Sequence, residues 1–175
     1  MPKARKMLSD CNALYIQSLM KLIETQSKAT LAHWVVDYAE LFILPLWSKH
    51  YAYDQRPQNA LNAARDWLSG AIKLPQAKTA ILECHAAARE AYANPIAQAS
   101  ARAIGQSAST IHSARHCIGL ALYGAIAVAY DTLGTNAPWE QVEQCCADEC
   151  VRMLDALRTV SVDDEPNPAK IDWKC

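Results

Sequence analysis

The sequence has few of the features that mark β-rich folds or nucleotide-binding enzymes. Only five glycines and one phenylalanine occur in 175 residues. The long segments lack the valine, isoleucine and threonine alternation and the frequent turn signals of strands, which excludes an all-β sandwich. Neither G-x-G-x-x-G nor G-x-x-x-x-G-K occurs, so the loops that cradle nucleotide phosphates are missing. No serine lies in a G-x-S-x-G elbow, so a serine nucleophile has no support.

A basic excess and a secretion signal are also missing. The formal net charge is −1, which argues against a general nucleic-acid binder. The N-terminal residues contain no apolar run long enough for a signal peptide or a membrane span. We therefore expect a cytoplasmic protein that does not bind membranes. In that compartment the seven cysteines are expected to be reduced thiols.

Acidic residues concentrate at the C-terminal end of the chain. Residues 140–175 carry nine acidic and four basic side chains, a net charge of −5. A solvated helix face followed by a tail explains this pattern without any partner. The functional alternative is a docking patch for a basic partner, because complementary charge steers association.

Alanine, the best helix former, is abundant, with 31 residues. The chain is therefore predicted to be all-α, a single-domain helical bundle of about six to seven helices. The domain is expected to span residues 1–160, and an acidic, proline-containing tail is expected over 161–175. Helices are predicted to start at Pro57, Pro75 and Pro95, because proline fits the first helical turn.

Small residues form stripes along residues 96–133, which form either one long helix or two. Ala97, Ala101, Ala121 and Ala125 recur at helical spacing. Alanine on a helix face lets a neighbouring backbone approach closely, so these helices are predicted at the packed centre of the bundle. The alternative is a homo-oligomer in which the alanine faces pair between subunits.

Three histidines are the candidate metal ligands. His112 and His116 are four residues apart and share a helix face, and His85 on the preceding helix is able to approach them. Arg115 lies beside the pair and disfavours a cation through charge repulsion. The favoured interpretation is therefore neutral histidines that form hydrogen bonds between helices, with no metal or other cofactor.

Several charged residues lie within apolar or small-residue stretches. The favoured interpretation is a structural ion-pair network, because a buried charge is costly unless it is paired. The alternative is an anion or carboxylate site lined by arginine. The candidate residues are Asp54, Arg56, Arg65, Arg89 and Arg102.

A series of motifs over residues 31–133 resembles the bacterial Imm-5-like family of immunity proteins. The strongest part is the block D-x-R-P…A-A-R-x-W…G. The matching segments are, in chain order, 31–40 with 44–47, 54–57, 63–67 with Gly70, 86–91, and 101–108 followed by His112 and His116. The chain departs from the family at Gln106, where a histidine often follows the glycine.

The resemblance implies a cytosolic, non-enzymatic helical protein that neutralises a toxin by binding it. It implies no catalytic residue and no cofactor. We expect the acidic residues 140–175 to contribute to the contacts with the protein partner. The alternative function is a metal- or small-molecule-binding helical protein, an enzyme among the options, that uses His85, His112, His116 and nearby arginines.

Overall fold

Seven helices make up most of the computed structural model, which describes residues 4–174. No strand occurs within that part of the chain, so the prediction of an all-α bundle of six to seven helices is confirmed. The helices are α1 (Leu14–Ile23), α2 (Lys28–Ser48), α3 (Arg56–Leu68), α4 (Leu74–Glu90), α5 (Pro95–Ser109), α6 (Ala114–Leu133) and α7 (Trp139–Val160).

Proline marks the start of three of these helices, as predicted. Pro57, Pro75 and Pro95 lie in the first turn of α3, α4 and α5, where the missing N–H breaks no helical hydrogen bond. The side chain of Asn94 caps α5 by accepting a hydrogen bond from the backbone N–H of Ala97 at 3.1 Å.

The segment 96–133 forms two helices, which settles the alternative left open by the sequence. The break falls at residues 110–113, and Ser113 has an extended backbone with φ −149°. Near this end of α5, Ser107 and Ser109 donate to the carbonyls four residues earlier, at 2.8 and 2.7 Å. Such side-chain bonds compete with the regular helical ladder and help to end a helix.

Helix α5 is the centre of the bundle and packs against α2, α3, α4 and α6. Ala97, Ala101 and Ala108 on α5 are completely buried, and so is Ala125 on α6. The prediction that the alanine-rich helices form the centre is therefore confirmed. Because these faces are used within one chain, the alanine stripes do not supply a surface for pairing between subunits.

Two helices contain a widened, π-helical turn. The turns lie at Ala39–Ile43 in α2 and at Leu120–Gly124 in α6. Both helices are long and apolar enough to cross a membrane by length and composition alone. However, 50% of the apolar window in α2 and 67% of that in α6 are buried inside the protein, as in core helices.

The tail after α7 is extended and lies against the connection between α1 and α2. The carboxylate of Glu165 accepts hydrogen bonds from the backbone and hydroxyl of Ser27 and from the hydroxyl of Thr30, each at 2.7 Å. The N–H of Ala169 donates to the carbonyl of Gln26 at 2.7 Å. One of the acids of the predicted docking patch thus caps α2 instead of facing a partner.

Candidate protein-binding surface

Arg56 holds two carboxylates from different parts of the chain. Its Nε and Nη2 donate to Asp54 at 2.9 and 2.6 Å, and its Nη1 and Nη2 donate to Glu90 at 3.1 and 2.6 Å. These bonds hold the pKa of both carboxyl groups below the usual range and raise the pKa of Arg56 further. The loop before α3 is thereby tied to the C-terminal end of α4.

The loop between α2 and α3 is also held from inside, by Trp47. The indole Nε1 of Trp47 donates to the backbone carbonyl of Asp54 at 2.9 Å. Trp47 is 1% exposed, and the ring of Tyr51 stacks on it with the centroids 4.6 Å apart. The backbone of Asp54 is thus held by Trp47 and its side chain by Arg56, so this non-helical loop is anchored to the core and to α3.

Two tyrosines project into solvent beside this fixed loop. Tyr53 is 99% exposed and Tyr92 is 78% exposed. Tyr53 precedes Asp54, and Tyr92 follows Glu90 by two residues, so the Arg56 bridge brings both to the same end of the protein. Residues 49–56 also line an open cavity of about 670 Å³. We call residues 49–56 together with Glu90 and Tyr92 the tyrosine surface.

The tyrosine surface has the composition of a protein-binding site. Tyrosine and arginine are the residue types that most often dominate the energy of protein interfaces, together with tryptophan. The formal charges of this surface cancel, because it contains Lys49 and Arg56 as well as Asp54 and Glu90. Arg56 pairs with both of these carboxylates, whereas Lys49 pairs with Asp131 outside the surface at 2.6 Å. A partner would therefore be held mainly by aromatic contacts and hydrogen bonds, and less by net charge.

Arg65 belongs to a separate ion-pair group that joins α3 to α2. Its Nη2 lies 2.9 Å from Asp37 and 2.7 Å from Glu40, and Gln58 also donates to Glu40, at 2.9 Å. The hydrogen bond to Glu40 is the main cause that raises the pKa of Arg65, and the same bond lowers the pKa of Glu40. This group fixes the packing of two helices.

The five charged candidates from the sequence therefore do not form one network. Asp54 and Arg56 belong to the first group, and Arg65 belongs to the second. Arg89 is exposed on α4. Arg102 is half-buried on α5 and lines a different cavity.

The three candidate histidines lie near one another but do not form a metal site. The rings of His112 and His116 meet edge to face with centroids 5.2 Å apart, and His116 Nδ1 lies 2.8 Å from Oε1 of Gln106. His85 packs on Gly105, where an added Cβ would lie 2.5 Å from the ring. Among residues 4–174, no group of three histidine, cysteine or acidic side chains is placed to hold a metal ion.

Burial keeps the histidines neutral. It lowers the pKa of His85 to about 4, with a further contribution from the charge of Arg102, and it also lowers the pKa of His112 and His116. The Nδ1 atoms of His85 and His112 are buried and have no hydrogen-bond partner in the described part of the chain. Only His116 thus shows the predicted hydrogen bond between neighbouring segments.

The cysteines supply no activated nucleophile within the described residues. Cys84, Cys117, Cys145, Cys146 and Cys150 are free thiols, as the sequence predicts. Burial raises the pKa of Cys84 and Cys146 to about 12, which keeps them protonated and unreactive. Cys11 differs from the expectation because it is disulfide-bonded.

Sequence reasoning missed one buried acid, Glu149 of α7. It is 2% exposed and accepts a hydrogen bond from the hydroxyl of Tyr38 at 2.6 Å, and its other oxygen lies 2.9 Å from Arg152. Burial, strengthened by this hydrogen bond, raises the pKa of Tyr38. Glu149 borders an apolar groove of about 380 Å³ that also contains Phe42. Its spacing from the buried Cys146 and Met153 places it on the inner face of α7, a signal that the sequence contains.

The fold and the tyrosine surface define an all-helical domain that presents a fixed, solvent-exposed aromatic surface. The chain belongs to the family described as Imm-5 like putative immunity protein, whose sequence model matches residues 21–156. The resemblance seen over residues 31–133 is thereby confirmed, and the match is longer at both ends. No curated protein and no solved structure shows significant similarity to the chain.

Proposed function

We propose that this protein neutralises a toxin by binding it non-covalently through the tyrosine surface, without catalysing a reaction. Membership of an immunity-protein family implies a toxin as the partner. The observation that carries the proposal is Tyr53, which is 99% exposed on a loop held by Trp47 and Arg56. An aromatic side chain so exposed has no role in the core, whereas it suits a contact with another protein.

A fixed loop favours tight binding. Association costs free energy when loops and side chains become ordered, and a preorganised surface reduces that cost. Tyrosine adds a large contact area at a low entropic cost because it has only two side-chain torsions. The bonds from Trp47 and Arg56 order this loop before any partner arrives.

The acidic residues 140–175 support a toxin contact less well than the tyrosine surface does. Several of their carboxylates have partners within the chain. Glu149 is buried against Tyr38, Glu165 caps α2, and Asp155 pairs with Arg158 at 2.8 Å. Fewer acids are therefore left to attract a basic partner than the net charge of this segment suggests.

The test is protection against a candidate toxin domain, which is to be sought among the genes that neighbour this one. Cells that produce this domain should grow only when the wild-type protein is also produced. The variants Tyr53→Ala and Tyr92→Ala should lose protection, because removing a central interface tyrosine costs about 2 kcal/mol or more. Leu14→Ala is the matched control, since Leu14 is a comparably exposed apolar side chain (83%) in α1, outside the tyrosine surface.

Two results would contradict the proposal. The first is a pair of observations: both tyrosine variants protect fully, and deletion of the acidic tail, residues 161–175, abolishes protection. The second is a change in the intact mass of the toxin after incubation with the protein, because binding alone leaves the toxin covalently unchanged.

A further inference from the structure

A second cavity lies between the N-terminal segment, α5 and α6, apart from the tyrosine surface. Its volume is about 360 Å³, within the usual range of small-molecule pockets. Its lining contains two cationic side chains, and no carboxylate of the described chain contributes to it. The lining residues are Lys6, Met7, Gln98, Arg102 and Tyr123.

Arg102 differs from the other half-buried arginines. Arg56 and Arg65 each bind two carboxylates. Arg102 is also half-buried, yet it forms no ion pair and no side-chain hydrogen bond with any residue that the structure describes. A partly desolvated charge without a partner is costly, so its guanidinium is poised to gain one.

The second cation, Lys6, is placed by a well-held stretch of backbone. The N–H of Leu8 donates to the carbonyl of Leu122 at 2.8 Å, within the π-helical turn of α6. On the other side, Tyr130 donates to the carbonyl of Arg5 at 3.2 Å, and the guanidinium of Arg5 lies 3.8 Å from the ring centre of Trp139. Lys6 is therefore held between two anchored neighbours at the edge of the cavity.

The other polar side chains of the cavity complete a donor-rich surface. Tyr123 lies in the π-helical turn of α6 and contributes a hydroxyl group. Gln98 lies one turn before Arg102 on α5, and its amide is fixed by a bond to the carbonyl of Ala88 at 3.0 Å. The charge of Arg102 also reaches His85, where it adds to the effect of burial in lowering the pKa.

We propose that this cavity binds a small molecule that carries a carboxylate or phosphate group. The planar guanidinium of Arg102 matches the two oxygens of such a group in a bidentate contact. Lys6 adds a second positive charge, and Tyr123 is able to donate a further hydrogen bond to the same oxyanion. This site is separate from the proposed toxin-binding surface, because its lining residues do not belong to the tyrosine surface.

The test is calorimetric titration of the full-length protein, at low chloride, with inorganic phosphate in one experiment and succinate in another. Saturable binding of at least one of these anions is expected. Arg102→Gln should weaken it about ten- to hundredfold, and Lys6→Gln should weaken it in the same direction. Arg158→Gln removes the same charge from an exposed position outside the cavity and should leave the affinity unchanged.

Each outcome of the titration decides something. Phosphate binding alone assigns the site to phosphorylated molecules, succinate binding alone assigns it to carboxylates, and binding of both supports the shared oxyanion chemistry. Absence of saturable binding for both anions overturns the proposal. An equal loss of affinity in Arg102→Gln and Arg158→Gln, or none in Arg102→Gln and Lys6→Gln, overturns it as well. Since Lys6 is exposed, Lys6→Gln keeps the test valid if Arg102→Gln misfolds.

Discussion

The indole N–H of Trp47 donates to the backbone carbonyl of Asp54 at 2.9 Å. This bond joins a completely buried side chain to the loop that carries the most exposed tyrosine of the described chain. It connects the packing of the core to the surface that we propose contacts the toxin.

Trp47→Phe should destabilise the protein and loosen this loop. The smaller ring leaves the carbonyl of Asp54 without its donor, which costs about 1–3 kcal/mol of the free energy of unfolding. Faster amide hydrogen exchange over residues 49–55 should accompany the loss. Trp67→Phe is the matched control, because within residues 4–174 the indole N–H of Trp67 forms no hydrogen bond. Equal exchange in both variants would refute the role of the bond.

Arg56→Gln should make the free energy of unfolding depend less steeply on pH in the acid range. The pKa of Asp54 and Glu90 is lower in the folded protein than their ordinary values of 3.8 and 4.5. Their contribution to stability is therefore complete above about pH 5 and is lost as the pH falls through the folded pKa values. Without Arg56 the two pKa values return toward the ordinary range, so the free energy of unfolding should fall less steeply with acid.

Urea denaturation between pH 3 and pH 7 measures this slope. Arg158→Gln removes the same charge from an exposed pair with Asp155 and serves as the control. The account fails here if Arg56→Gln and the wild-type protein lose stability with the same slope.

Ala101→Leu should lower the free energy of unfolding by about 1–3 kcal/mol, because the added methyl groups have no room at the centre of the bundle. Ala101 is completely buried, with 0% of its surface accessible to solvent. The control is Ala29→Leu, an exposed position in the first turn of α2. Thermal unfolding followed by circular dichroism checks both, and an unchanged melting temperature for Ala101→Leu would refute the central position of α5.

The effect of Gly105→Ala on the free energy of unfolding should depend on His85. In an ordinary helix interior this change stabilises by up to about 1 kcal/mol, because alanine is the better helix former. Here the new Cβ would lie 2.5 Å from the ring of His85, so the gain should be lost or reversed. In the His85→Ala background the same change should become stabilising. A double-mutant cycle in urea measures this coupling, and additive effects would show that the ring moves away freely.

The sequence predicted the helices well because their signals are local. Pro57, Pro75 and Pro95 mark starts through a rule that needs no tertiary contact, and the alanine spacing on α5 identifies a buried face. Whether an arginine forms an ion pair depends instead on residues that are distant in the sequence. Arg56 finds Glu90 34 residues along the chain, whereas Arg102 finds no acid among residues 4–174. Composition alone does not distinguish these two outcomes.

The tyrosine surface could not be predicted for a related reason. Tyr53 lies in a short segment without helical periodicity, where the sequence does not reveal which side chains point outward. Its exposure follows from the bonds that Trp47 and Arg56 make to Asp54, and these depend on the packed fold. Glu149 is the opposite case, since its place in the buried stripe of α7 is visible in the sequence.

The central claim is tested most directly by the affinity of the protein for a candidate toxin domain found among its neighbouring genes, measured by calorimetry at low and at high salt. The account predicts that Tyr53→Ala raises the dissociation constant about thirtyfold, the equivalent of about 2 kcal/mol, at both salt concentrations. It also predicts a weak effect of salt on the wild-type protein, because the charges of the tyrosine surface balance. An unchanged affinity in Tyr53→Ala, together with binding that disappears at high salt, would contradict it.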